Sequence, residues 1–131
     1  MVDEVTAGIA VRGIGIDAVD IDKFRRALER TPALRHRVFT TDELAALGDR
    51  ADDVPGLAAR FAAREAAMKV LGVGIGAFEL HDVSVSRLSS GQPQLVVIGR
   101  AAALASERDI SAWHVSLSHT DTVAMAVVAA E

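Results

Sequence analysis

The chain has 131 residues, 50% of them hydrophobic, no cysteine and a net charge of -4. That length suits a single domain, 1–131, that buries roughly two thirds of its unfolded surface, and the lack of cysteine excludes disulfides and thiolate metal sites. The acidic balance argues against general nucleic-acid binding, no apolar stretch approaches the roughly 18 residues of a membrane helix, and a start bearing Asp3 and Glu4 lacks the basic opening of a secretory leader, so cytoplasmic residence is expected.

A first strand is predicted near Ile9 to Ile16. In extended backbone Gly13, Gly15 and Asp17 share one face while Ile14 and Ile16 take the other. Asp20 caps a helix from Ile21 to Arg30 that buries Ile21, Phe24 and Leu28, leaving Lys23, Arg26 and Arg30 along an outer stripe. These three belong to a basic cluster with Arg25, Arg35 and Arg37, which on an acidic protein suggests an acidic partner. A short helical segment, Ala33 to Val38, leads to the capping box Thr40-x-x-Glu43, which opens a helix to Leu47. After a polar connection, Gly48 to Pro55, a long helix runs from Gly56 to Gly72 and ends in the loop Gly72-Val73-Gly74-Ile75-Gly76. Val83 to Leu88 and Gln94 to Ile98 alternate around Ser89 to Pro93 as a hairpin. Ala101 to Arg108 is a short helix, and Trp113 to Leu117 and Val123 to Val128 are the last strands, joined through His119 to Thr122. This mixed order indicates an α+β fold with a mainly antiparallel sheet packed against a long helix.

The long helix carries charge where its buried stripe should be. At about 100° per residue, Leu57, Ala58, Phe61, Ala62, Met68 and Gly72 fall in one arc, and Glu65 and Lys69 project from its middle. Arg60 and Arg64 lie off that arc and are expected in water. Glu65 therefore needs a partner: a metal, a lysine or a ligand. A plain ion pair with Lys69, four residues on, is equally open. The glycine face of the first strand leaves room for a ligand or for a crossing helix, with Asp17 then merely opening a turn. In the WHVSLSHT strand, His114, Ser116 and Ser118 face one way and Trp113, Val115 and Leu117 the other. A Ser118–His119 hydrolase pair fails because strand neighbours point to opposite faces, and no histidine set has metal-ligand spacing.

Three segments in this order, GIGIDAVDIDKF, FAAREAAMKVLGVGIG and WHVSLSHT, closely resemble the holo-acyl-carrier-protein synthase family, the short bacterial phosphopantetheinyl transferases. The likeness runs from about Val11 to Val128. Met1 to Ala10 precede the usual start and form an extension. Arg64 stands where the family usually has lysine, and Asp52 to Pro55 looks variable. The resemblance implies the phosphopantetheinyl transferase fold and a homotrimer with coenzyme sites at subunit interfaces. It also implies transfer of 4'-phosphopantetheine from coenzyme A to a carrier serine, releasing 3',5'-ADP. The carrier is either an acyl carrier protein or the carrier domain of a fatty-acid synthase.

Two hard carboxylates without histidine or cysteine favour Mg²⁺. The resemblance places that ion between Asp17, Glu65 and the pyrophosphate of coenzyme A, with Lys69 stabilising charge on the phosphates or leaving group. The base is either a water on the metal or one of the carboxylates. Gly72, Gly74 and Gly76 would offer backbone N–H groups to a phosphate or let adenine lie close; as a local signal they are a helix C-cap and turn. Arg60 falls at a position the resemblance associates with the nucleotide, and is otherwise an exposed helix arginine. His114, or alternatively His119, would meet the 3'-phosphate. Lys23, Arg26 and Arg30 would dock an acidic carrier helix. The rival is a non-catalytic module that binds coenzyme A or a nucleotide and docks an acidic partner, with no need for Asp17 and Glu65 to converge.

Overall fold

The structure, a computed structural model, describes residues 10–131. Strand β1 (Gly13–Asp20) runs straight into α1 (Ile21–Arg30), followed by the short helices α2 (Leu34–Val38) and α3 (Thr41–Ala46) and the long α4 (Val54–Leu71). A 3₁₀ turn, Leu80–Asp82, leads into the hairpin β2 (Val83–Arg87) and β3 (Pro93–Val97), then α5 (Gly99–Glu107) and a second hairpin, β4 (Trp113–His119) and β5 (Val123–Ala130). The strands form two antiparallel sheets, β1-β5-β4 and β2-β3. The expected α+β class with antiparallel pairing holds, with two sheets in place of one. Among the described residues no helix is long and apolar enough to cross a membrane.

The first strand sits later than its apolar run suggests, and Ile9 lies outside the described residues. Pairing with β5 continues from Gly13 opposite Ala130 to Asp20 opposite Val123, so Asp17 is a strand residue opposite Ala126. The ladder carries the chain through two aspartates that local preference would assign to a turn. Asp20 then caps α1, its Oδ1 accepting from the Lys23 N–H at 2.9 Å.

The glycine face of β1 admits a crossing helix, the plainer of the two readings. A Cβ at Gly15 would lie 2.0 Å from the Ala66 carbonyl oxygen, and one at Gly13 would lie 3.0 Å from Val70 Cγ1. Strand and helix backbones touch here, as only glycine allows. On the same inner face of the sheet, Ala124, Ala126 and Val128 of β5 are buried.

Helix α4 corrects the amphipathic reading. One apolar cluster packs its C-terminal half against β2, β3, α5 and the β4–β5 hairpin. A second packs its N-terminal half against α1, α2 and the α3 region. With neighbours nearly all round, the helix has no broad solvent side, and its alanines let every neighbour come close. Arg60 and Arg64, expected in water, are 2% and 0% exposed, whereas Lys69 is exposed.

Arg64 is tolerated because Glu43, itself 1% exposed, answers it. The capping box forms as expected, with Thr40 N–H donating to Glu43 Oε1 at 3.0 Å. The same carboxylate accepts from Arg64 Nη1 at 3.0 Å, from Arg64 Nη2, and from the Val85 N–H at 3.0 Å. Arg64 Nε donates to the Leu80 carbonyl at 2.9 Å, and its guanidinium lies 5.1 Å from the Phe39 ring centroid. One ion pair thus joins α3, α4, β2 and the 3₁₀ turn.

Burial pushes the Glu43 carboxyl up, but the hydrogen bonds and charge of Arg64 and the N–H groups of Thr40 and Val85 outweigh it, leaving the group below its ordinary value of 4.5. A depressed folded pKa gives stability that is present above the unfolded value and is lost as pH falls through the folded one. Glu43→Gln is expected to cost about 3–5 kcal/mol in urea unfolding at pH 7, because it strands the Arg64 charge. The wild-type advantage over this variant should shrink as pH drops below 4.5. A constant difference from pH 7 to pH 3 would contradict this account of the pair.

Candidate active site

Beyond the glycines, the inner face of β1 carries Asp17, next to the turn of α4 that carries Glu65 and Lys69. Lys69 Nζ donates to the Ile16 carbonyl at 2.6 Å and to Asp17 Oδ1 at 3.2 Å. Its ion pair is therefore with the strand aspartate, not with the glutamate one turn back on its own helix. Glu65 is half-buried, and its carboxyl sits above its ordinary value: burial is the main cause, the nearby Asp17 charge adds to it, and Lys69 opposes both. Two carboxylates held this close repel each other, which is the arrangement a cation relieves.

Asp17 and Glu65 open onto a cavity of about 620 Å³ between α1, α2 and α4, walled by Phe24, Leu34, Val38, Phe61 and Leu80, with Lys23 and Ile75 also lining it. Phe24 stacks at a tilt on Phe61, ring centroids 5.4 Å apart, and edge-on to Phe39 at 6.1 Å. An apolar seat beside a pair of carboxylates raises the strength of their electrostatics. As a donor set, two carboxylates suit a hard divalent ion that takes its other ligands from water or substrate phosphates. Among the described residues no cluster of three or more His, Cys, Asp or Glu is placed to hold a metal. Asp17 and Glu65 are the residues that would hold one.

The remaining candidate residues fall at differing distances from this centre. Lys23, Arg26 and Arg30 are exposed along α1, and Lys23 reaches the cavity. Arg25 and Arg35 of the same basic cluster are turned aside into paired hydrogen bonds with Asp52 and Asp53. Gly72 ends α4 in the left-handed conformation, φ 69°, with its N–H on the Lys69 carbonyl, so its first service is to the helix. Gly74 and Gly76 are exposed in the following loop, whose Ile75 lines the cavity.

Two expected residues are not brought to Asp17 within one chain. Arg60 lines a separate cavity between α3, α4 and β2. His114 pairs across β4–β5 with Ala129, which in turn pairs with Ile14, and so stands on the outer face of the sheet; its Nε2 lies 3.3 Å from Glu131 Oε1. His119, opposite Ala124 and so in line with Val19, is the histidine of this strand on the Asp17 face. Sequence reasoning misses the cavity itself. Phe24 and Phe61 carry the signal of core residues, and only the packing of three helices shows that one side of each is open.

The chain belongs to the 4'-phosphopantetheinyl transferase superfamily, whose profile matches residues 13–128. Within it the relatives are holo-acyl-carrier-protein synthases. That of Streptomyces avermitilis is 46% identical over 123 residues, 94% of this chain and 99% of its own. The crystal structure of the Neisseria meningitidis synthase superposes with a TM-score of 0.83 at 30% identity, covering 93% of this chain and 99% of that one. The Helicobacter pylori synthase in complex with coenzyme A superposes with a TM-score of 0.78 at 27% identity, covering 90% and 99% respectively.

The mutual effect of the two carboxylates is measurable without turnover. In metal-free protein, Asp17→Asn is expected to lower the Glu65 pKa toward the ordinary glutamate value, because it removes the second cause of the rise and leaves burial opposed by Lys69. Carboxyl ¹³C NMR titration reads this directly. An unmoved Glu65 would mean that the two groups do not interact.

Proposed function

We propose that Asp17, Glu65 and Lys69 form the centre at which this phosphopantetheinyl transferase moves the 4'-phosphopantetheine arm of coenzyme A to the serine of an acyl carrier protein or a carrier domain. The observation that carries this reading is the convergence of Asp17 and Glu65 from β1 and α4 at the edge of an apolar cavity, with Lys69 against the same aspartate. The relatives' name and the coenzyme A held by one of them support the choice of substrates.

Asp17 and Glu65 would hold Mg²⁺, which when bound neutralises charge on the pyrophosphate and aligns it. Lys69, anchored by the Ile16 carbonyl and Asp17, keeps its ammonium at this centre, where charge builds on the phosphate oxygens and the departing 3',5'-ADP. The serine oxygen forms a bond to the β-phosphorus as the bridging oxygen leaves with 3',5'-ADP. Gly74 and Gly76, with open space where a side chain would stand and Ile75 of the cavity wall between them, would offer backbone N–H groups to the nucleotide end.

The outer face of the β1-β5-β4 sheet supports assembly. Ile14, Ile16 and Val127 are 68%, 58% and 39% exposed there, a patch of the kind that a subunit contact covers. In the homotrimer we infer, that face is buried between copies, and His114 on it meets the nucleotide of a coenzyme held across the contact.

Asp17→Ala or Glu65→Ala should leave the fold intact and remove nearly all transfer, read as the phosphopantetheine mass increase on the carrier and as 3',5'-ADP release in Mg²⁺. Wild-type protein in excess chelator should behave like the variants. Near-normal turnover by folded Glu65→Ala, or in chelator, would sink this centre.

Carrier docking belongs to the exposed stripe Lys23, Arg26 and Arg30. The double reversal Arg26→Glu with Arg30→Glu should raise KM for the carrier, most at low salt, while affinity for coenzyme A barely moves. Carrier kinetics that ignore both the reversal and the salt would return this helix face to solvent.

A further inference from the structure

Two adjacent aspartates tie two helices to a third. Arg25 of α1 donates to both oxygens of Asp52, at 3.0 and 2.8 Å, and Arg35 of α2 donates to both oxygens of Asp53, from Nη2 at 3.1 Å. Asp52 Oδ1 also accepts from the Val54 N–H at 3.1 Å, which joins the pair to the first residue of α4. The Asp52 carboxyl is held below its ordinary value first by the Arg25 hydrogen bonds and then by that N–H. Each arginine fork is bidentate, a geometry that fixes the angle between the groups as well as their distance.

The same three helices wall the Asp17–Glu65 cavity, through Phe24 of α1, Leu34 and Val38 of α2, and Phe61 of α4. The aspartates grip them from the far side. Lys23 and Arg25 stand about 160° apart round α1, so Arg25 is drawn to Asp52 on one flank while Lys23 reaches the cavity on the other. Ile21, Phe24 and Leu28 hold α1 in the apolar cluster with Leu57 and Ala58 of α4, but apolar contact is non-directional and leaves a helix free to roll. The Arg25 fork sets that roll, and the roll sets where Lys23, Arg26 and Arg30 point. We propose that Asp52 and Asp53 are positioning residues for the carrier, holding this stripe and the cavity mouth in the one arrangement at which an acidic carrier delivers its serine. The proposal rests on carrier docking at α1. A loosened α1 would present that arrangement only part of the time, and apparent affinity falls by the same fraction.

The test separates position from charge, with an acyl carrier protein as the varied substrate of the full-length enzyme. Asp52→Asn with Asp53→Asn removes two anions from a basic surface, so charge alone predicts a lower KM for the acidic carrier, and loss of the clamp predicts a higher one. The carrier KM of this double variant should rise about three- to tenfold, the range open to two exposed ion pairs, while kcat and the KM for coenzyme A stay near wild type. Arg25→Gln with Arg35→Gln cuts the same bonds from the other side and should raise the carrier KM at least as far. Because the clamp is then already lost, adding the aspartate changes to the arginine pair should do no further harm. An unchanged or lowered carrier KM in the aspartate pair, or additive losses in the combined variant, would overturn the proposal. If Arg26→Glu with Arg30→Glu raises the carrier KM and the aspartate pair does not, the clamp alone falls; if neither raises it, docking at α1 falls as well.

Discussion

The Ala66 carbonyl oxygen occupies the space a side chain at residue 15 would need, and the rest of the molecule is arranged around that contact. Because β1 lies on α4 backbone to backbone at Gly15, the next inward residue, Asp17, reaches the helix edge where Glu65 and Lys69 stand. A larger residue at 15 would separate the elements by a side-chain diameter and pull the two carboxylates apart. The alanines of α4 serve the same end: small side chains at 62, 63, 66 and 67, all fully buried, let sheet and hairpin close on the helix from different sides. The proximity of two like charges is unfavourable in itself, and it persists because the apolar contacts along the same two elements outweigh it.

Close packing around α4 also explains why arginine stands at 64, where the resemblance leads one to expect lysine. The guanidinium donates to both oxygens of Glu43, to the Leu80 carbonyl through Nε and to the Arg60 carbonyl through Nη1. An ammonium has three protons on one atom and would leave part of this set unserved. The bond to Leu80 ties the 3₁₀ turn to the residue preceding Glu65, and the Leu80 side chain is a wall of the cavity beside Asp17 and Glu65. The buried pair is thus structural in its chemistry, yet it anchors the turn that supplies one wall of the candidate site.

What was legible in the sequence follows the range of the forces involved. The α1 helix, its Asp20 cap and the Thr40–Glu43 box are local, and all form as read. The alternation of β1 and β4 is local too, so the faces of Asp17 and His114 were correct. The helical arc of α4 failed because a periodic stripe reports which side is wet only when one side is wet. Glu43 shows the same limit: the capping box accounts for part of one oxygen, while Arg64 and Val85, 21 and 42 residues away, supply the remaining donors. No local signal marks that it is buried. The two histidines of β4 differ in the same way, since the strand pattern separates their faces but only the order β1-β5-β4 says which face holds Asp17.

That strand order divides the sheet's two sides between two tasks. Gly13, Gly15 and Asp17 look inward at α4, while Ile14 and Ile16 look out beside Val127. Since side chains alternate strictly, a slip of one residue in β1 would exchange the sets, burying the isoleucines and expelling Asp17 from the site. Hydrophobic burial alone favours that slip, for it would hide two large apolar side chains. What forbids it is the absence of room: no isoleucine fits where Gly15 meets the Ala66 carbonyl. The glycines therefore hold Asp17 in the site by denying the isoleucines the inner face, and Ile14 and Ile16 stand exposed on the outer one.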